Sequence, residues 1–227
     1  MAYFTPNFNH FFKDLAKNNH KEWFHANKKT YLKEVKNPFY QFLQDLIAHI
    51  QTHHDPELFL EVKNAVFRIN RDIRFSKDKS LYKLQVGAVV ARGGRKNSQI
   101  PGLYIQFGVG EIWIGGGLYA PDKEHLYRVR KQIAAQPDKF KQLLQDADFQ
   151  KIYGQLSGQQ HKRIPKEFKA AFAHQPLIAN KQFYFMKTYD DESIISREDL
   201  LEWVLKHYRA GLAINQFLME AVVSKDD

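Results

Sequence analysis

The sequence predicts an α+β fold, a mainly antiparallel sheet with N-terminal and C-terminal helices packed against it. Three observations carry that expectation. Apolar residues recur at three- and four-residue spacing early in the chain, alternating apolar runs broken by turn residues fill the middle, and a second helical stripe closes the sequence.

The opening region reads as two helices, roughly 9–17 and 21–53, with Asn18-Asn19 as the break. In the second, Phe39, Phe42, Leu43, Leu46, Ile47 and Ile50 form one apolar stripe. Pro38 lies inside it and forbids a continuous hydrogen-bond ladder, so a kink or restart is expected there, and the Pro56 region ends the helix. Strand signals follow at 65–75, 83–91, 103–107 and 111–115. The last two flank Gly108-Val-Gly110 and alternate Ile105, Phe107, Ile112 and Ile114, which is a hairpin pattern. Residues 92–98, Arg-Gly-Gly-Arg-Lys-Asn-Ser, read as an exposed basic loop.

After Pro121, the residues Leu126, Val129 and Ile133 mark a helix, and 138–144 a shorter one. Residues 154–176 read as loop and 183–186 as a further strand. From Ser196, with Glu198 and Asp199 expected in its first turn, a terminal helix carries Leu200, Val204, Leu205, Leu212 and Phe217.

A length of 227 residues with 44% hydrophobic and 14% aromatic content supports one domain over 1–227 with its own core. The start lacks a basic region followed by an apolar run, and no segment approaches the roughly 20 apolar residues of a membrane span, so a cytoplasmic location and no membrane partner are expected. With no cysteine, thiolate nucleophiles, disulfides and Cys-ligated zinc are excluded. The net charge of +9 favours anionic partners, but acids lie among the cations throughout.

The charge is densest in Phe67-Arg-Ile-Asn-Arg-Asp-Ile-Arg-Phe-Ser-Lys-Asp-Lys-Ser-Leu-Tyr-Lys83. As a strand, it places Phe67, Ile69, Ile73 and Phe75 on one face with Arg71 among them, and Arg68, Asn70, Asp72, Arg74 and Ser76 on the other. Paired guanidinium forks hold planar anions, and a carboxylate between them orients them or accepts a proton. Lys77 and Lys79 sit in the polar turn that follows, and Tyr82 and Lys83 open the next strand. We therefore expect Arg68, Arg71, Arg74, Lys77, Lys79 and Lys83 as ligand-binding residues and Asp72 or Tyr82 as the proton-transfer group. The competing reading is a lattice of solvated cross-strand ion pairs. Arg71, on the apolar face, needs a carboxylate or a bound anion beside it.

The same segment resembles the hallmark of domain-of-unknown-function family 2461. So do Phe11-Phe-Lys-Asp-Leu-Ala-Lys-Asn-Asn-His-Lys-Glu-Trp-Phe24 with Asn27 and Tyr31, Pro101-Gly-Leu-Tyr-Ile-Gln, Gly115-Gly-Gly-Leu-Tyr119 with Pro121, and Lys162-Arg with Pro165. The resemblance spans nearly the whole chain and implies a shared fold without implying a reaction. The family pattern has proline before the tyrosine, where this chain has Leu81, which implies a looser turn.

Elsewhere, Trp23 offers a flat apolar wall for a pocket near Asn18 and Asn19, against the plainer reading of a capped helix break with aromatics entering the core. Gly115-Gly-Gly117 suits a phosphate loop less well than a strand end, because Asp122 and Glu124 would repel a phosphate at the next helix. His49, His53 and His54 with Asp55 and Glu57 lack the spacing of a zinc motif, so no metal site is assigned. No Walker loop, nucleophile elbow or dinucleotide fingerprint stands in the sequence, which assigns no cofactor and no oligomeric state.

The expectation is thus a small phosphate- or carboxylate-bearing ligand in a basic pocket, as an enzyme or as a binder. The alternatives are nucleic acid on the same strand, with the 92–96 loop and Tyr82 and Tyr104 as stacking surfaces, or a non-catalytic protein-interaction module.

Overall fold

The structure is a computed structural model and describes residues 2–223. Helix α1 (Asn7–Lys17) buries Phe8, Phe11, Phe12 and Leu15 on one face and stops at Asn18, whose side-chain amide donates back to the Asp14 carbonyl at 3.0 Å. The stretch read as one helix over 21–53 is four elements instead: α2 (Lys21–Ala26), α3 (Lys28–Thr30), a π-helical turn (Tyr31–Lys36) and α4 (Asn37–His53). Asn27 leaves helical geometry at φ −99° and ψ 11°, which separates α2 from α3. Pro38 explains the π turn. It has no N–H for the Glu34 carbonyl, and its ring would press on that carbonyl in a regular helix. The turn widens, the Asn37 N–H reaching back five residues to the Leu32 carbonyl, and α4 starts with proline in its first turn. All six residues of the predicted α4 stripe are buried.

After α5 (Val62–Ala65) the predicted strand at 65–75 does not form. Only isolated antiparallel bridges occur, Val66 with Ala88 and Asn70 with Tyr82. The cause is local competition for backbone donors. The Asp72 carboxylate accepts the Arg74 N–H at 3.3 Å, and the Asp78 carboxylate accepts the Ser80 N–H at 2.9 Å. Such side-chain turns draw the main chain out of a ladder.

The sheet consists of β1 (Gln85–Val90), β2 (Gly102–Gly108), β3 (Glu111–Leu118) and β4 (Phe183–Tyr189), antiparallel and in that order. The predicted hairpin joins β2 to β3, with Gly110 in its turn, and Ile105, Phe107, Ile112 and Ile114 are buried. Beyond it run α6 (Lys123–Ala135), α7 (Pro137–Leu144), α8 (Ala147–Ile152), α9 (Lys169–His174) and α10 (Leu200–Val223). Helix α9 lies within the predicted loop. Helix α10 starts at Leu200 rather than near Ser196, because a 3-10 turn takes up Glu192–Ser196 and Arg197 holds both oxygens of Asp199 at 2.8 and 2.7 Å. Among the described residues, no helix is long and apolar enough to cross a membrane.

The described chain gathers into two compact units. One comprises, of the described residues, 2–95, Tyr104–Ile114 and Thr188–Leu205. Its core is aromatic, with the Phe107 ring 5.9, 5.8 and 5.5 Å from those of Phe4, Phe39 and Phe42. The other comprises Lys96–Leu103, Gly115–Lys187 and, of the described residues, 206–223. It buries Val129, Ile133, Phe140, Phe149, Phe183, Phe185 and Phe217. Here the Gly115–Gly117 run has a packing role. A Cβ on Gly117, at φ 98°, would stand 2.2 Å from the Phe183 carbonyl oxygen, and the Gly117 N–H donates to Asn215 at 2.8 Å.

Candidate functional site

Although residues 67–74 form no strand, their exposure alternates as a strand's would. Phe67, Ile69, Arg71 and Ile73 are half-buried, while Arg68, Asn70, Asp72 and Arg74 face solvent. Three backbone bonds give this ribbon its register. Phe67 N–H donates to Gly87, Arg71 N–H to Leu81 and Lys83 N–H to Ile69, at 2.9, 2.9 and 2.8 Å. Phe75, expected on the apolar face, is 97% exposed, because the chain has already turned away there.

The side of the ribbon that carries Arg71 borders a cleft of about 550 Å³. Phe12, Lys13 and Ala16 come to it from α1, Asn19 from the α1–α2 joint, Arg71, Asp78, Ser80, Tyr82 and Lys83 from the ribbon, Leu84 and Gln85 from the entry to β1, and Val109 and Glu111 from the hairpin. Asn19 fixes one wall. Its side-chain amide donates to the Tyr82 carbonyl and accepts the Tyr82 N–H, both at 2.9 Å, which reproduces a peptide pair with a side chain. The Tyr82 ring is buried and stacks on Phe24, centroids 4.1 Å apart and planes 13° from parallel.

Charge in the cleft is mostly paired. Arg71 donates to Asp78, which also accepts the Ser80 hydroxyl at 2.6 Å and the Ser80 N–H, and these bonds, that of Arg71 foremost, hold the Asp78 carboxyl well below the usual carboxylate range. Lys13 pairs with Glu192 at 2.6 Å. Lys83 differs. It is half-buried, its Nζ lies 5.3 Å from the centre of the Phe67 ring, and among the described residues it joins no ion pair. Burial first, and the Arg68 charge second, lower its pKa from the ordinary lysine value.

Of the predicted site residues, the structure brings Arg71, Tyr82 and Lys83 to the cleft. Asp72 and Arg74 instead bond each other, Arg74 donating through Nε at 2.9 Å and Nη2 at 2.6 Å, on the exposed face. That pairing lowers the Asp72 carboxyl to about 2, which makes it a weak proton acceptor. Lys79 donates to the Ile73 carbonyl at 3.0 Å, Arg68 and Lys77 are exposed away from the lining, and half-buried Trp23 packs 5.7 Å from Phe11. Sequence reasoning did not assign Lys13, Asp78, Ser80 or Glu111 to the site. The Asp78-Lys-Ser80 spacing of a side-chain turn was a signal for two of these. For Lys13 and Glu111, far off in sequence, a single sequence carries none.

The family model described as Conserved hypothetical protein (DUF2461) matches residues 7–217. The chain belongs to this family. No curated protein and no solved structure gives a significant match. The span matched to DUF2461 takes in every residue that lines the cleft.

Other regions singled out in this DUF2461 chain have structural partners. The 92–98 loop is not simply an exposed basic patch. Asp55 accepts Arg92 through both oxygens, at 3.0 and 2.6 Å, Glu57 accepts it as well, and Arg95 donates to the Lys63 carbonyl at 2.7 Å. Tyr104 donates to Gln106 at 2.7 Å. The His49 and His53 rings lie 4.4 Å apart, and among the described residues no group of three or more His, Cys, Asp or Glu is placed to hold a metal ion.

Proposed function

We propose that the cleft binds a small anionic ligand bearing a carboxylate or a phosphate. The observation that carries this reading is Lys83, a half-buried cation facing a cleft with no carboxylate paired to it. Leaving such a charge partly desolvated is costly, and an anion in the cleft offsets that cost. Arg71 adds further donors, since one guanidinium carries five N–H groups and its bond to Asp78 uses one of them. The reading holds for an enzyme or a binder.

Thermal shift against inorganic phosphate, nucleotides, sugar phosphates and acyl-CoAs tests it, with Lys83→Gln as the comparison. At a ligand concentration of 100 Kd the wild type gains about 2.7 kcal/mol, or roughly 5–10 °C in Tm, and Lys83→Gln gains little. Equal shifts in both proteins, or none across the screen, would overturn the reading.

One observation favours a second reading, nucleic-acid binding. Phe75 is 97% exposed with the Arg74 guanidinium 5.9 Å from its ring centre, and Lys77 is exposed beside it, a platform for stacking an unpaired base. It replaces Tyr82 and Tyr104 as the stacking surface, since Tyr82 is already stacked on Phe24. Fluorescence anisotropy with a single-stranded oligonucleotide should show affinity that falls steeply with salt and is lost in Phe75→Ala. Binding that ignores both changes would remove this reading.

A further inference from the structure

We propose that the Lys83 amine forms an imine with an aldehyde or keto group of an anionic ligand seated in the cleft, an inference that rests on the anion-binding reading above. The lysines of this chain fall into contrasting settings. Lys13, Lys33, Lys63 and Lys139 each hold a carboxylate, at 2.6, 3.1, 2.5 and 3.2 Å. A carboxylate partner stabilises the ammonium, and for Lys63 it is Glu61 that raises the pKa. Lys83 differs in two respects that disfavour the ammonium, partial burial and the like charge of Arg68, and among the described residues no carboxylate pairs with it. Burial and a neighbouring cation both shift a lysine toward its free amine, and it is the free amine that attacks a carbonyl. Because Lys83 also faces a cleft large enough for a small metabolite, that amine has somewhere to act.

The other cleft residues fit the remaining requirements. Arg71, whose guanidinium has N–H groups beyond the one given to Asp78, remains to hold the ligand's phosphate or carboxylate once Lys83 is engaged. Glu111 lines the cleft and joins no ion pair among the described residues, so its carboxylate is the proton carrier available there, whereas Asp78 is committed to Arg71 and Ser80. The step balances without any added reactant. Water in the cleft relays one proton from the Lys83 ammonium to Glu111, and the amine nitrogen bonds the carbonyl carbon. The carbonyl oxygen then picks up a proton from the nitrogen and the one held by Glu111, the C–O bond breaks, and water leaves. Of the three ammonium hydrogens, one stays on the iminium nitrogen and two depart in the water. The positive charge survives on the iminium, so the bound anion keeps its counter-ion throughout.

Pyridoxal 5′-phosphate, which joins an aldehyde to a phosphate, serves as the probe. The full-length protein is treated with it, reduced with borohydride and mapped by peptide mass spectrometry, with and without inorganic phosphate. Lys83 is expected to be labelled about tenfold faster than any exposed lysine, a margin of about 1.4 kcal/mol in barrier, and excess inorganic phosphate should slow that labelling. Lys83→Arg keeps the charge and cannot form an imine. It should lose the fast-labelled site, while the exposed lysines are labelled at the wild-type rate. If phosphate stabilises the wild type but Lys83 is labelled no faster than other lysines, the imine is overturned and the anion site stands. If phosphate neither stabilises the protein nor slows the labelling, the anion reading fails and the proposal falls with it.

Discussion

The Asn19 amide and the Tyr82 peptide form a pair whose removal is asymmetric. Asn19→Ala leaves a donor and an acceptor of the Tyr82 backbone without partners, at a cost of about 1–3 kcal/mol, measurable by urea denaturation. Tyr82→Phe keeps the ring that stacks on Phe24 and the backbone that Asn19 clasps, so its stability should stay within about 0.5 kcal/mol of wild type. A large loss in Tyr82→Phe would place the hydroxyl, not the ring, in the structural role. Glu34 gives a pH-dependent counterpart. Burial pushes its carboxyl pKa up, but bonds from Lys33, Thr5 and Asn7 outweigh burial and hold it below the ordinary value. A folded-state pKa below the unfolded one contributes stability that is present above the unfolded pKa and disappears as pH falls through the folded one. Thr5→Val removes the 3.0 Å bond from Thr5 to Glu34. It should therefore cost roughly 1–2 kcal/mol at neutral pH, with the gap closing in acid, as read from Tm against pH. A gap that is constant with pH would assign the loss to packing instead.

Among the elements, the ribbon at 67–83 shows how sequence and structure part company. Its alternation of apolar and charged residues is real, and the burial follows it as far as Arg74. A regular strand and a ribbon with isolated bridges share that alternation, so the period alone does not separate them. Asp72 and Asp78 decide the matter by taking backbone donors two residues on, a short-range effect outside the pattern. Phe75 then belongs to no core. Phe75→Ser should leave the urea midpoint unchanged within about 0.5 kcal/mol, where a core phenylalanine would cost several. Helix α6 illustrates the opposite case. Arg130, within its apolar stripe, is 6% exposed and donates to the Ile178 and Asn180 carbonyls at 2.8 and 3.2 Å. Arg130→Ala removes both bonds and should lower stability by roughly 2–4 kcal/mol in thermal denaturation.

At the scale of the molecule, the readable features were those encoded locally and repeated. The α4 stripe, the β2–β3 hairpin and the α6 face each place several residues by one period, and the structure buries them as predicted. Boundaries set by single polar contacts were not readable, as at Asn27, Ser196 and Asp72. The site divides along the same line. Arg71, Tyr82 and Lys83 lie in one charged run and stood out there, whereas their ion-pair and hydrogen-bond partners include residues as distant as Asn19, 63 positions from Tyr82. The excess positive charge misled in part, because many of its arginines have counter-ions. Arg92 with Asp55, Arg74 with Asp72 and Arg197 with Asp199 are closed pairs. Lys83 lacks such a partner while lining a cleft, and composition reports neither pairing nor position.

The π turn at Tyr31–Lys36 bears on the cleft through phase. A turn that closes five residues back holds one residue more than an α-helical turn, and each helical residue advances the chain by about 100°. Removing one residue from this stretch together with Pro38→Ala would let the helix run on regularly and swing everything before it, including Phe24 and Asn19, by that angle about the axis of α4. Asn19 would then face away from the Tyr82 peptide and Phe24 away from its ring. The surplus residue ahead of Pro38 thus works as an angular setting: it clocks the chain upstream so that the wall of the cleft meets the ribbon.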